Sequence, residues 1–199
     1  MPKARHEARR DTPAKLPRMF DLRRIKHCRV CGAPTQYRVP ADDNRDRAIC
    51  TACGEVHYEN PLNVVGTVPV WGEQVLLCRR NIEPRYGLWT LPAGFMELGE
   101  TTAEGALRET VEEAGARIEL QGLFTLLNVA RVGQVHLFYR ARLLDTHFDP
   151  GPETIEAQLF HEHQIPWEQL AFRTVRETLQ RYFADRKLGR FELHVADIG

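Results

Sequence analysis

The chain has 199 residues, 43% of them hydrophobic and 27% charged, a length and balance that fit one ordinary globular domain plus an appendage. No uninterrupted apolar run approaches the ~18 residues that cross a bilayer, which excludes a membrane-spanning helix. Net charge is zero but unevenly spread: residues 1–27 hold nine Lys/Arg against three Asp/Glu, and the remainder holds 18 against 24.

The N-terminal stretch MPKARHEARRDTPAKLPR lacks the apolar segment of a secretory signal. It is Arg-rich like a transit peptide, yet the chain contains no serine. Residues 1–25 are expected to form a basic, disordered tail. The alternative is nonspecific attraction to nucleic acid or to an anionic substrate.

Two cysteine pairs follow, Cys28-x2-Cys31 and Cys50-x2-Cys53, with eighteen residues between them. This is the spacing of a structural zinc site, because two intervening residues form a knuckle that aims both thiolates at one ion. Gly32 and Gly54 follow the second cysteine of each pair, where such a knuckle needs a permissive backbone. Residues 26–60 are too few to bury a self-sufficient core, and metal binding would supply the missing stability. His57 is expected at the surface or an interface, since four cysteines already complete the tetrahedron. The fifth cysteine, Cys78, stands alone in VLLCRR and reads as a small buried apolar residue. An odd number in this arrangement is not a disulfide framework, and a reducing, cytoplasmic setting is expected.

From residue 61 onward the pattern changes. NVVGTVPVW and QVLLCRR flank Gly72-Glu73 and read as a β-hairpin. EPRYGLWTLPAGFMELGE is rich in Gly and Pro, a loop with at most one short strand. Thr101-x-x-Glu104 has the form of a capping box and opens a helix that Gly115 ends. RIELQGLFTLLNV and QVHLFYRARLL read as two strands joined near Gly133, DTHFDPGPET as a loop, and EAQLFHEHQIP as a short strand and turn. FRTVRETLQRYFADRK is an amphipathic helix, and RFELHVA a final strand. Strands and helices mix without regular βαβ alternation, so an α+β fold with a mixed sheet is expected.

RETVEEAG (108–115) places three carboxylates at a helix C-terminus, where anions are unfavourable. With Glu109 at zero, Glu112 falls at about −60° and Glu113 at about +40° around the helix. Ala103, Leu107, Thr110, Val111 and Ala114 fall between about 100° and 200°, which predicts a packing face opposite the acidic one. Clustered oxygen ligands suit Mg²⁺ or Mn²⁺. The glycine loop GFMELG feeds directly into this helix and allows backbone and metal to approach a phosphate together.

The stretch GFMELGETTAEGALRETVEEAGA (94–116) resembles the Nudix box, G-x5-E-x7-R-E-U-x-E-E-x-G-U. Gly94, Glu100, Arg108, Glu109, Glu112, Glu113 and Gly115 match at the required spacing. Thr110 and Ala116 depart from it, since bulkier apolar residues are usual there. A four-cysteine module ahead of the box is similar to that of zinc-ribbon Nudix hydrolases. YENPLNVVG, CRRNIEPRYGLWTLPAGFMELGE and GPETIEAQLF resemble a subgroup that includes plant chloroplast FAD diphosphatases and bacterial relatives.

This resemblance implies a zinc ribbon over 26–60, a Nudix α/β/α sandwich with a mixed sheet over 61–186, and a C-terminal extension over 187–199. It implies hydrolysis of a nucleoside diphosphate linked to another group, with Mg²⁺ or Mn²⁺ held by Glu109, Glu112 and Glu113, helped by Glu100 and the Gly94 carbonyl. Arg108 would brace these carboxylates. Glu153 and Glu156 are the late-loop candidates for a general base, Glu156 being preferred. Arg79 or Arg80 would meet the diphosphate, unless both are ordinary surface charges. Tyr86 could stack on a base or flavin, whereas Trp89 reads as core.

FAD ranks first as substrate, ahead of ADP-ribose and then NADH or a nucleoside triphosphate, because the S-Q-P-W motif of NADH-hydrolysing relatives is missing and Ala130 stands near a position where one ADP-ribose subgroup has proline. A nucleic-acid-binding or regulatory protein with a Nudix ligand sensor is the alternative of another class. It is disfavoured by the intact box and by a ribbon without clustered basic and aromatic residues, so a nucleic-acid partner is not expected. A homodimer is expected by family analogy alone.

Overall fold

The computed structural model describes residues 24–199, so nearly all of the expected basic tail lies outside the described residues. The chain divides into two compact units between Tyr58 and Glu59.

The first unit is a three-stranded antiparallel sheet of β1 (Thr35–Arg38), β2 (Arg47–Cys50) and β3 (Val56–His57), in that order. Among its described residues the buried apolar ones are few: Cys28, Ala48, Ile49 and Cys50. That is too little apolar surface to offset the ordering of the segment, as expected of a metal-dependent fold. Gly32 and Gly54 both adopt φ of 75°, the left-handed turn that each knuckle requires.

The second unit is built on a mixed sheet ordered β10-β5-β4-β9-β8-β11. Its strands are β4 (Leu62–Trp71), β5 (Gln74–Arg80), β6 (Trp89–Thr90), β7 (Ala93–Phe95), β8 (Ile118–Val129), β9 (Gln134–Leu143), β10 (Thr154–His161) and β11 (His194–Asp197). The helices are α1 (Thr102–Ala114) and α2 (Arg173–Leu188). β4 runs parallel to β9, and β11 parallel to β8; the remaining pairs are antiparallel. Alternation along β5 separates two cores. Val75 and Leu77 join Phe124, Phe138, Val175, Leu179 and Phe183 beneath α2, while Leu76 and Cys78 join Ala114, Ala116 and Leu143 beneath α1. The helices therefore cover opposite faces, giving the expected α/β/α sandwich.

The β4–β5 hairpin forms but pairs only at Val70–Val75 and Trp71–Gln74 before opening. The segment read as a loop with one short strand fills the gap with two: β6 pairs with β5, and β7 pairs with β4 through Val64–Phe95, Val65–Gly94 and Gly66–Ala93. Gly66 makes this possible, because a Cβ there would lie 2.3 Å from the Cβ of Ala93. The last strand is shorter than expected: Phe191 stacks on Tyr182 at 5.5 Å instead of entering the sheet.

Candidate active site

α1 starts where the capping box predicts. Thr101 accepts the Glu104 N–H at 3.2 Å, and Glu104 accepts the Thr101 N–H at 2.7 Å. Gly115 ends it at φ 61°.

The packing face of α1 keeps Thr110 and Ala114 of the expected one but is rotated away from Leu107 and Val111. Leu107 and Val111 are 40% and 51% exposed, whereas Glu109 and Glu113 are 9% and 7% exposed. The buried stripe is Gly105, Ala106, Glu109, Thr110, Glu113 and Ala114. Small residues decide this: a Cβ on Gly105 would fall 2.8 Å from Val65 Cγ2, so the helix meets β4 through its slimmest side. Two carboxylates thereby turn toward the sheet. Glu109 lies against Gly94, where a Cβ would sit 2.4 Å from its Oε2, and Glu113 accepts the Ala93 N–H at 3.0 Å.

Burial sets the electrostatics of this pair. It raises the Glu109 carboxyl, partly offset by Arg108, and pushes the Glu113 carboxyl up to about 8 despite the Ala93 hydrogen bond. The negative charge of Glu153 raises both further. Arg108 gathers the remaining acids. Its Nη1 meets Glu109 at 2.7 Å and Glu112 at 3.0 Å, Nε and Nη2 grip Glu100 at 3.0 and 2.8 Å, and Nη2 also donates to the Phe95 carbonyl at 3.1 Å. This fork holds the Glu100 carboxyl down at about 2.

The structure thus brings Gly94, Glu100, Arg108, Glu109, Glu112 and Glu113 together. Two buried carboxylates of raised pKa, facing the backbone of β7, are a donor set that a hard divalent cation fits. Among the described residues their oxygens do not converge on one point as the cysteine sulfurs do, because Arg108 and Ala93 engage them.

Arg79 and Glu156 face each other across β5 and β10 and form an ion pair at 3.1 Å. Arg79 Nε donates to the Gly87 carbonyl, and Arg80 Nε to the Pro84 carbonyl, both at 3.0 Å, so the two arginines clamp the loop between β5 and β6. Arg80 is buried over the Phe172 ring and lies close enough to Glu113 to favour its ionised form. Tyr86 stands exposed at the loop tip, while Trp89 is core against Phe160 and Cys78 is fully buried. Glu153 is the late-loop carboxylate whose charge reaches Glu109 and Glu113, an effect visible only once strand register is known.

In the first unit the four sulfurs of Cys28, Cys31, Cys50 and Cys53 lie within 4.8 Å of one another. Three separations are 3.4, 3.5 and 3.7 Å, close to the ~3.8 Å edge of a tetrahedron with Zn–S bonds of ~2.3 Å. Backbone N–H groups, foremost that of Cys31, lower the Cys28 thiol to about 6, toward the thiolate that zinc requires. His57 is not at the surface as expected: it is buried, with Nε2 3.3 Å from Cys28 Sγ.

Residues 26–59 match the family described as Nudix N-terminal, a zinc ribbon, and residues 61–182 match the NUDIX domain. The chain belongs to the Nudix hydrolase family. This Nudix hydrolase is 44% identical to a solved NUDIX hydrolase from Nitrosomonas europaea, with a TM-score of 0.83 over 87% of this chain and 100% of that one. It is 29% identical over 171 residues to the NAD-capped RNA hydrolase NudC of Stutzerimonas stutzeri, covering 84% of this chain and 59% of that protein. It is 30% identical over 120 residues to a putative ADP-ribose pyrophosphatase, YjhB, of Bacillus subtilis, covering 57% of this chain and 56% of that protein. The chain therefore spans less than two thirds of the length of these two relatives. As a zinc-ribbon Nudix hydrolase it carries the four-cysteine set for structural zinc, and its family uses Mg²⁺ or Mn²⁺. No helix among the described residues is long and apolar enough to cross a membrane.

Proposed function

We propose that this protein hydrolyses the diphosphate bridge of a dinucleotide, with FAD giving FMN and AMP as the leading substrate. The observation that carries the reaction class is the pair of buried carboxylates, Glu109 and Glu113, set against residues 93–94 and flanked by Arg108. Glu109, Glu112 and Glu113 would hold Mg²⁺ or Mn²⁺, with Glu100 and the Gly94 carbonyl. A divalent cation there supplies Lewis-acid neutralisation of the diphosphate and a more acidic water.

The chain's own residues do the rest. Arg108 orients three carboxylates at once and keeps them from splaying apart. Arg80, buried and without a carboxylate in ion-pair contact among the described residues, is the cation available to a substrate phosphate, whereas Arg79 is committed to Glu156. Tyr86 offers an exposed ring for a base or flavin. Glu153 and Glu156 are the two candidates to take a proton from the attacking water; Glu153 is ranked first because Glu156 is engaged by Arg79.

A second substrate reading is favoured by the relatives: NudC of Stutzerimonas stutzeri acts on NAD-capped RNA by its name, and mouse NUDT13, 33% identical over 92 residues covering 46% of this chain and 25% of that protein, is named an NAD(P)H pyrophosphatase. NADH or an NAD-type end would then be cleaved. The test is a product assay with Mg²⁺ on FAD, ADP-ribose and NADH in parallel. FMN and AMP from FAD at the highest kcat/KM support the first reading. Preferential cleavage of NADH supports the second and discards FAD.

A further inference from the structure

We infer that His57 supports the zinc site from outside the tetrahedron, donating its Nε2–H to the Cys28 thiolate and slowing the loss of zinc. The position is fixed by strand pairing. β3 sets His57 opposite Ala48 on β2, two residues before Cys50, and this turns the imidazole into the small core beside Cys28. His57 is 7% exposed and Cys28 4%, with 3.3 Å between Nε2 and Sγ. His57 is not one of the converging ligand atoms, so it acts on a ligand and not on the ion.

Charge explains why this contact matters. Four thiolates around Zn²⁺ leave two net negative charges, in a unit whose core is only a few residues. Cys31 and Cys53 are exposed and shed charge to water, but Cys28 and Cys50 are buried. Cys50 accepts the N–H groups of Ala52 and Cys53, each at 3.4 Å. Cys28 accepts the N–H of Val30 at 3.3 Å and also that of Cys31, and His57 adds the one side-chain nitrogen hydrogen-bonded to any of these sulfurs among the described residues. A hydrogen bond to a metal-bound thiolate spreads its charge and fixes its orientation, as outer contacts do in other metal sites.

The test uses the full chain loaded with zinc. Transfer of zinc to a chromophoric chelator is followed for wild type, His57→Phe, His57→Met and His57→Gln, and the thiolate charge-transfer band is recorded after substitution with Co²⁺. Phe and Met fill the volume without a donor, so either suffices if the other does not fold. The donor-less variants should lose zinc ~10–100-fold faster and shift the Co²⁺ band, and Gln, which keeps a donor, should recover most of both. Release at the wild-type rate in a folded donor-less variant would overturn the inference. Equally fast release from the Gln and donor-less variants would also overturn it, since packing alone would then explain the effect.

Discussion

The hydroxyls of Thr67 on β4 and Thr110 on α1 lie 2.6 Å apart, both fully buried, and Thr110 also donates to the Ala106 carbonyl at 2.8 Å. Thr110 stands where the Nudix box usually has a bulkier apolar residue, and Thr67 is its compensation. The pair pins α1 to β4 through the same buried helix stripe that holds Glu109 and Glu113. Thr110→Val leaves the Thr67 hydroxyl without its partner and should cost ~1–3 kcal/mol in denaturant unfolding. Thr67→Val should cost less, because Thr110 keeps Ala106. The double Val variant should recover part of the Thr110→Val loss; simple additivity would show that the hydroxyls are not coupled.

Glu113 makes metal-free stability fall with pH. Its folded pKa of about 8 lies above the usual carboxylate value, because burial opposes ionisation. Between the ordinary carboxylate range and pH 8 the unfolded chain releases a proton that the folded chain retains, so this group's contribution declines across that window. Added Mg²⁺, which binds the ionised form, should raise Tm most at the upper end. Glu113→Gln should flatten the decline and weaken the Mg²⁺ response. Glu112→Gln, at a half-exposed position, should weaken the response. Melting curves from pH 5 to 8.5 with and without Mg²⁺ check all of this.

His136 works in the opposite direction. Burial holds its imidazole down to about 4, between the Thr174 hydroxyl at 3.1 Å and Gln134 at 3.0 Å. As pH falls below the ordinary histidine value, the unfolded chain gains a proton that the folded chain refuses, so stability is lost from about pH 6.5 down to 4. His136→Gln should remove that part of the acid slope, by at most ~1.4 kcal/mol per pH unit. An unaltered acid limb would place the titrating group elsewhere.

Glu153, in the loop before β10, and Glu156, on β10, should separate in kinetics. Glu156 is tied to Arg79 by a half-exposed ion pair, so Glu156→Gln should change stability by less than ~1 kcal/mol and leave kcat nearly intact. Glu153→Gln should lower kcat by ~10²–10⁴-fold. The reverse ranking would restore Glu156 as the base.

Local features were legible in the sequence. Thr101 and Glu104 announced the start of α1, Gly115 its end, Gly72 and Gly133 their turns, and the cysteine spacing a four-sulfur cluster. Features that depend on packing were not. The apolar stripe of α1 pointed to Leu107 and Val111 as core, yet the helix approaches β4 through Gly105 and Ala106, because short side chains permit the closest contact. That Glu156 faces Arg79 is set by the register of β10 on β5, which the pattern of neither strand displays. The burial of His57 beside Cys28, in place of a surface or interface position, depends on the β2–β3 register, which a complete set of four cysteines does not reveal.

The most direct test is the Mg²⁺ dependence of diphosphate hydrolysis in wild type and Glu113→Gln, measured on FAD, ADP-ribose and NADH after melting curves establish that both proteins are folded. The wild type should be inactive without a divalent cation and cleave at least one substrate at the diphosphate with it. Glu113→Gln should lose at least ~100-fold in kcat/KM and need far more Mg²⁺. Full activity in Glu113→Gln, or hydrolysis by wild type that is indifferent to divalent cations, would contradict the assignment of the buried carboxylates as the metal-holding centre.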